Sequence, residues 1–138
     1  MNASAGIVRA SSPVSFLAFD FGTRRIGVAC GNSLTRSAEP LATVAAMGGA
    51  RFEAIAKLIQ EWQPSELVVG VPFHPDGAEH DNTRRARRFA HQLHGRFRLT
   101  VHQVDERYTT TEAQALGAAD VDAASASIIL EQFLRTLE

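Results

Sequence analysis

Four apolar residues, Phe16 to Phe19, follow one another without helical spacing, and the run stops on a carboxylate, Asp20. A short continuous apolar run of this kind reads as a strand buried on both faces. An ionised group at its end costs several kcal/mol unless it is paired or coordinated. Gly22 can take a positive φ and let the chain reverse, and Ile26 to Ala29 continues as a second β run. Asp close to Gly is also ordinary turn chemistry, the carboxylate bonding its own backbone. Both roles stand open for Asp20 on this stretch alone.

Further along, Ala38 to Val44 is a third strand, and Pro40 suits an edge position. Phe52, Ile55, Ala56, Ile59 and Trp62 recur at helical spacing, and Pro64 stops that helix. Glu66 to Val71 is a β-branched run and another buried strand, followed by a loop over Pro72 to Gly77. A second helix starts near Thr83, with Ala86, Phe89, Ala90 and Leu93 inward and Gly95 at its end. Leu99 to Val104 is the fifth strand, delivering Asp105 and Glu106. A short helix over Thr110 to Leu116 precedes a last one from about Asp122, which buries Ala126, Ile129, Leu130, Phe133, Leu134 and Leu137. Residues 1–14 read as a loose tail and 15–138 as one domain, long enough to bury roughly two-thirds of its unfolded surface. An opening meander followed by alternating helices and strands predicts an α/β fold, a five-stranded mixed sheet with helices on both faces.

In such sheets the site lies beyond the carboxyl ends of the strands. Asp20 and Glu106 both occupy strand ends. Asp105 and Glu106 alternate in direction, so only one of them enters a shared site. Asp122 opens the last helix with Ser125 three residues on, which by itself reads as a helix cap. Taken together, carboxylates crowded into one crevice repel, and a divalent cation reverses that cost. Three carboxylates from distant parts of the chain match two-metal phosphodiester cleavage, with ions about 3.5–4 Å apart.

A net charge of −1 excludes a simple polycation, but the charges are unevenly spread. Between Asn82 and Val104 there are six arginines and no acid. Arg84, Arg85, Arg87 and Arg88 crowd the first turns of the second helix, the end where the macrodipole disfavours cations. They form either a solvated face, with Asp81 offsetting Arg85, or a phosphate-binding surface. Arg24, Arg25 and Arg107 flank the two strand-end carboxylates and could hold the same backbone. His91 and His94 read as solvated surface. A single cysteine, Cys30, permits neither an intrachain disulfide nor a Cys-based zinc site. No run approaches the ~18 apolar residues of a membrane helix, and the start lacks a signal-peptide core, so the expected location is cytoplasmic.

Asp20-Phe-Gly-Thr-Arg-Arg-Ile-Gly-Val-Ala29, Val69-Gly-Val-Pro72 with Asp76-Gly77, Thr83-Arg-Arg-Ala-Arg-Arg-Phe89, Asp105-Glu-Arg-Tyr-Thr-Thr110 and Val121 to Glu131 together resemble the YqgF (RuvX-like) family, in order, over about residues 16–135. The resemblance implies an RNase H-like fold related to RuvC Holliday junction resolvases. It implies a nuclease maturing the 5′ end of pre-16S rRNA, and an acidic set of Asp20, Glu106 and Asp122 holding Mg²⁺ or Mn²⁺. The expected partners are RNA or branched DNA and a pre-30S ribosomal particle, with the chain a monomer or homodimer. A Holliday junction resolvase acting on DNA and a non-catalytic rRNA-binding assembly factor are the alternatives. Residues 112–120 are shorter than the family's usual loop and carry no basic residue. Asp20-x-Gly-Thr also looks like the first phosphate loop of actin- and sugar-kinase-like ATPases, which need two such lobes.

Overall fold

Strand β1 (Ser15–Asp20) is the centre of a five-stranded sheet, and its apolar run is buried on both faces as expected. The computed structural model describes residues 13–72, 81–106 and 121–137. Most of the expected tail, the loop beyond Pro72, Arg107, the helix expected over Thr110 to Leu116 and the 112–120 loop lie outside the described residues. The remaining elements are β2 (Ile26–Asn32), β3 (Ala38–Val44), α1 (Gly49–Trp62), β4 (Glu66–Pro72), α2 (Asp81–Phe97), β5 (Val101–Glu106) and α3 (Val121–Arg135).

The strand order is β3-β2-β1-β4-β5. β1, β2 and β3 form an antiparallel meander, whereas β4 and β5 join β1 in parallel. Pro40 lies on the edge strand, next to the register shift at Val28 and Ala29. A residue with no N–H to donate is tolerated there. The alternation of β1 divides the core. Leu17 and Phe19 face Phe52 and Ile55 of α1 and Phe89 and Leu93 of α2. Phe16 and Ala18 face Ile129, Leu130 and Leu134 of α3. The sheet is therefore mixed, with helices on both faces.

Several local expectations are corrected. Gly22 does not adopt a positive φ; it is needed because a Cβ there would stand 2.4 Å from the Arg25 carbonyl oxygen. In α1, Phe52, Ile55 and Ile59 pack inward as expected, but Ala56 and Trp62 are exposed and Ala54 and Leu58 pack inward instead. Gly95 does not end α2, which continues to Phe97. Arg98 closes it with φ 59°, and its N–H donates to the His94 carbonyl at 2.9 Å. α2 also begins two residues earlier than Thr83, whose buried hydroxyl donates to the Pro72 carbonyl and ties the helix to the end of β4. Phe133 and Leu137 of the last segment are only partly buried.

The α3 face has one further requirement. A Cβ on Gly27 would fall 1.8 Å from the Asp122 carbonyl oxygen, so the first turn of α3 rests directly on the backbone of β2. Backbone cannot swing aside as a side chain can. Gly27→Ala is expected to cost about 3 kcal/mol or more, the range of severe overpacking. Urea unfolding of the variant beside the parent chain measures this.

Candidate active site

The sheet register sets three positions in one row. Asp20 pairs with Gly27 of β2 on one side and with Gly70 of β4 on the other. All three belong to the face covered by α3, because Ala18 and Val68, two residues earlier on their strands, pack against Ile129 and Leu130. Neither neighbour of Asp20 carries a side chain. At Gly27 the backbone of α3 fills the space and brings Asp122 to the row. At Gly70 a Cβ would meet Ile129 Cδ1 at 2.4 Å and Glu106 Cδ at 3.2 Å, so Glu106 occupies that opening.

Glu106 stands on β5 opposite Pro72, at the carboxyl end of the parallel strands. Its strand is separated from β1 by β4, a distance of roughly 9–10 Å between backbones. The Asp20 and Glu106 carboxyls nevertheless hydrogen-bond, reaching across the space that Gly70 leaves. Asp105, on the opposite alternation of β5, is exposed. Gly70 and Gly27 escaped the sequence reading as site residues. The signal was present in Gly70, a glycine interrupting a β-branched run, which commonly marks close approach of another group.

A hydrogen bond between two carboxyls requires a proton on one of them. Burial is the main reason Asp20 rises from an ordinary 3.8 to about 6. The hydrogen bond with Glu106 pulls the other way, and the negative charge of Asp122 adds to the rise. Asp122 sits in the first turn of α3, one residue inside the helix, where the macrodipole favours a carboxylate. It is not the N-cap expected from the sequence, since the helix already starts at Val121. Its Oδ2 is 3.0 Å from Nε of Arg25, a largely exposed residue of the β1–β2 turn.

Among the described residues, no group of three or more His, Cys, Asp or Glu side chains is set to hold a metal ion in this arrangement. Asp122 is drawn toward Arg25, and Asp20 and Glu106 are drawn toward each other. The donor chemistry nonetheless fits a hard divalent cation, with carboxylate oxygens from three elements around one partly buried row. A cation would take over the charge neutralisation that a proton and a guanidinium provide here.

The arginines divide. Arg84 pairs with Asp81 on the exposed start of α2, so the expected partner Arg85 is displaced by its neighbour one position earlier. Arg85 and Arg88 instead line a cavity beside the β1–β2 turn. Arg24 is exposed, and Arg87 is partly buried. His91 and His94 are exposed; His94 Nδ1 lies 2.9 Å from the Leu99 carbonyl oxygen, consistent with a surface role.

Asp20 binds its proton more tightly in the folded chain than in the unfolded one. Its stabilising contribution is therefore complete below about pH 4 and is lost as pH rises through about 6. A shift of this size corresponds to about 3 kcal/mol. Urea unfolding in a chelating buffer should show stability falling by roughly that amount between those limits. Asp20→Asn should flatten the profile and make the chain more stable than wild type above neutrality.

The profile of the RuvX family, described as Holliday junction resolvase, matches residues 14–136. A protein of Polaromonas sp. named "Putative pre-16S rRNA nuclease" is 68% identical over 123 residues, 89% of each chain. One of the same name from Albidiferax ferrireducens is 65% identical over 123 residues, 89% of this chain and 79% of its own. Thermus thermophilus RuvC, solved with a Holliday junction substrate, superposes with a TM-score of 0.57 at 12% identity, over 88% of this chain and 94% of RuvC. That likeness concerns the fold. Among the described residues, no helix is long and apolar enough to cross a membrane.

Proposed function

The chain belongs to the RuvX family, a family of nucleases, and on that premise we propose that it is a metal-dependent endonuclease processing the 5′ end of pre-16S rRNA. The observation that carries the proposal is the row Gly27–Asp20–Gly70, which lets carboxylates from β1, β5 and α3 gather at one end of the sheet. Asp20, Glu106 and Asp122 would hold Mg²⁺ or Mn²⁺. When bound, the ions supply a water acidified for attack and charge stabilisation for the leaving oxygen.

The chain's own residues prepare the rest. Burial of Asp20 lowers the local dielectric, which strengthens every charge interaction there. Arg25 pairs with Asp122 in the first turn of α3, which rests on β2 at Gly27. Arg24, Arg85, Arg87 and Arg88, with Arg107 beyond the described residues, would position phosphates without reading bases. Arg84 belongs to the same surface through its pair with Asp81. Positioning through the sugar-phosphate backbone suits a structured substrate whose bases are already paired.

A second substrate class, branched DNA, is favoured by the family's description as Holliday junction resolvase. Both substrates use the same acidic set, so they are separated by assay. With Mn²⁺, the wild-type chain should cut a labelled pre-16S 5′ leader in preference to a four-way DNA junction; the reverse preference would transfer the assignment to DNA. Asp20→Asn, Glu106→Gln and Asp122→Asn should each bring cleavage below detection while the chain remains folded. Retained cleavage in Asp20→Asn would overturn the acidic-set assignment. Binding by wild type and variants alike, with cutting by none, would make the protein an rRNA-binding assembly factor.

A further inference from the structure

On the other side of the β1–β2 turn from the carboxylates, a cavity of about 420 Å³ opens between the start of α1 and the outer face of α2. Four arginines line it, Arg51 from α1 and Arg85, Arg88 and Arg96 from α2, and no acidic residue is among its lining groups. Four guanidiniums around one space repel unless an anion sits between them. Two of them are already held in place. The Arg51 Cζ lies 5.4 Å from the ring centroid of Phe21, and its Nη2 donates to the Thr23 carbonyl at 2.9 Å. Its Nε is buried with no hydrogen-bond partner. The Arg96 Cζ lies 4.0 Å from the ring centroid of Phe52. Among the described residues, no carboxylate pairs with Arg51, Arg85, Arg88 or Arg96.

The start of α1 adds to this potential. Its cap residue is Gly48, which offers no side-chain hydrogen bond, and its first turn contains no acid. The space around Gly48 and Gly49 is open. Unsatisfied N–H groups at a helix start therefore face the same cavity as the arginines.

We propose that this cavity is a phosphate-binding pocket that takes a phosphate of the nucleic-acid strand as it leaves the carboxylate row across the β1–β2 turn. The inference rests on the nuclease assignment for the source of the phosphate. Phe21 joins the two places, since it follows Asp20 in the chain and its ring lies under Arg51. Arg51 and Arg96 are thus positioning residues for substrate, additional to the arginine run at the start of α2. A planar, pre-oriented guanidinium suits two oxygens of one phosphate. The open cavity, continuous with the exposed surface of α2 through Arg85 and Arg88, suits a passing strand better than an enclosed metabolite.

The test is fluorescence anisotropy of the full chain with a labelled single-stranded RNA in EDTA, where cleavage is blocked. Arg51→Gln/Arg96→Gln is expected to weaken binding about tenfold and to reduce the slope of log K against log salt by about one. Arg96→Gln alone, at an exposed side chain, should show part of the loss, which guards against misfolding at Arg51. Lys57→Gln, on α1 but outside the cavity, should leave affinity and slope unchanged. Equal losses on 5′-hydroxyl and 5′-phosphate RNA assign the pocket to an internal phosphodiester, and a loss confined to 5′-phosphate RNA assigns it to the strand terminus. Unchanged affinity and slope in the double variant would overturn the pocket while leaving the nuclease assignment intact. RNA binding that depends on Arg51 and Arg96 in a wild-type chain that cuts nothing would sustain the pocket and overturn the nuclease assignment.

Discussion

Asp20 can act as the centre of a site only because its two neighbours in the sheet have no side chains. In an ordinary strand row, flanking residues would fill the layer between sheet and helix. Here the backbone of α3 descends onto Gly27, and Glu106 leans into the opening at Gly70. A glycine inside a strand is unfavourable by roughly 0.5–1 kcal/mol relative to alanine. The close approach of α3, which seals Ala18 and Val68 beneath Ile129 and Leu130, offsets that cost. The same two glycines therefore serve the packing of the core and the convergence of the acids.

Convergence has an electrostatic consequence that organises the whole end of the sheet. The crowding of three carboxylates shows in Asp20, whose affinity for a proton is raised by burial and by the charge of Asp122, while Arg25 pairs with Asp122. On the opposite face, arginines gather around Phe21 and Phe52 without acids. A net charge of −1 thus conceals two regions of opposite sign divided by the β1–β2 turn. A polyanionic substrate is attracted to one region, while divalent cations are attracted to the other. The acidic region lies at the carboxyl ends of β1 and β5, and the basic one beside the β1–β2 turn between α1 and α2.

Much of this was legible along the chain. The apolar runs at Phe16 and Glu66 mark strands because continuous burial needs no periodicity. Pro40 marks the edge, and Pro64 follows the end of α1, where Gln63 caps the helix in a left-handed conformation with φ 46°. Asp20 could be singled out because a charge at the end of a buried strand demands a reason, whereas the choice of Glu106 over Asp105 and of Asp122 as more than a helix cap came from the family resemblance. Gly22 was misread because glycine signals both freedom and close approach, and only neighbours in space tell these apart; Gly95 has open space around it and lies within a helix that runs on to Phe97. The inward stripe of α1 was right at Phe52, Ile55 and Ile59, but Ala56 and Trp62, which also fit the period, are exposed, and Ala54 and Leu58 pack inward in their place.

Sequence by itself determined the type of the main described elements, the carboxylate at the end of β1 and the arginine-rich start of α2, because hydrophobic period and local charge are properties of consecutive residues. Only the tertiary structure decided the strand order, the Gly27–Asp20–Gly70 row and the partnership of Arg25 with Asp122. It alone brought Arg51 and Arg96 to the cavity that Arg85 and Arg88 share. These features join residues dozens of positions apart. Their placement follows from sheet register and helix docking, which are set by the packing of the entire core.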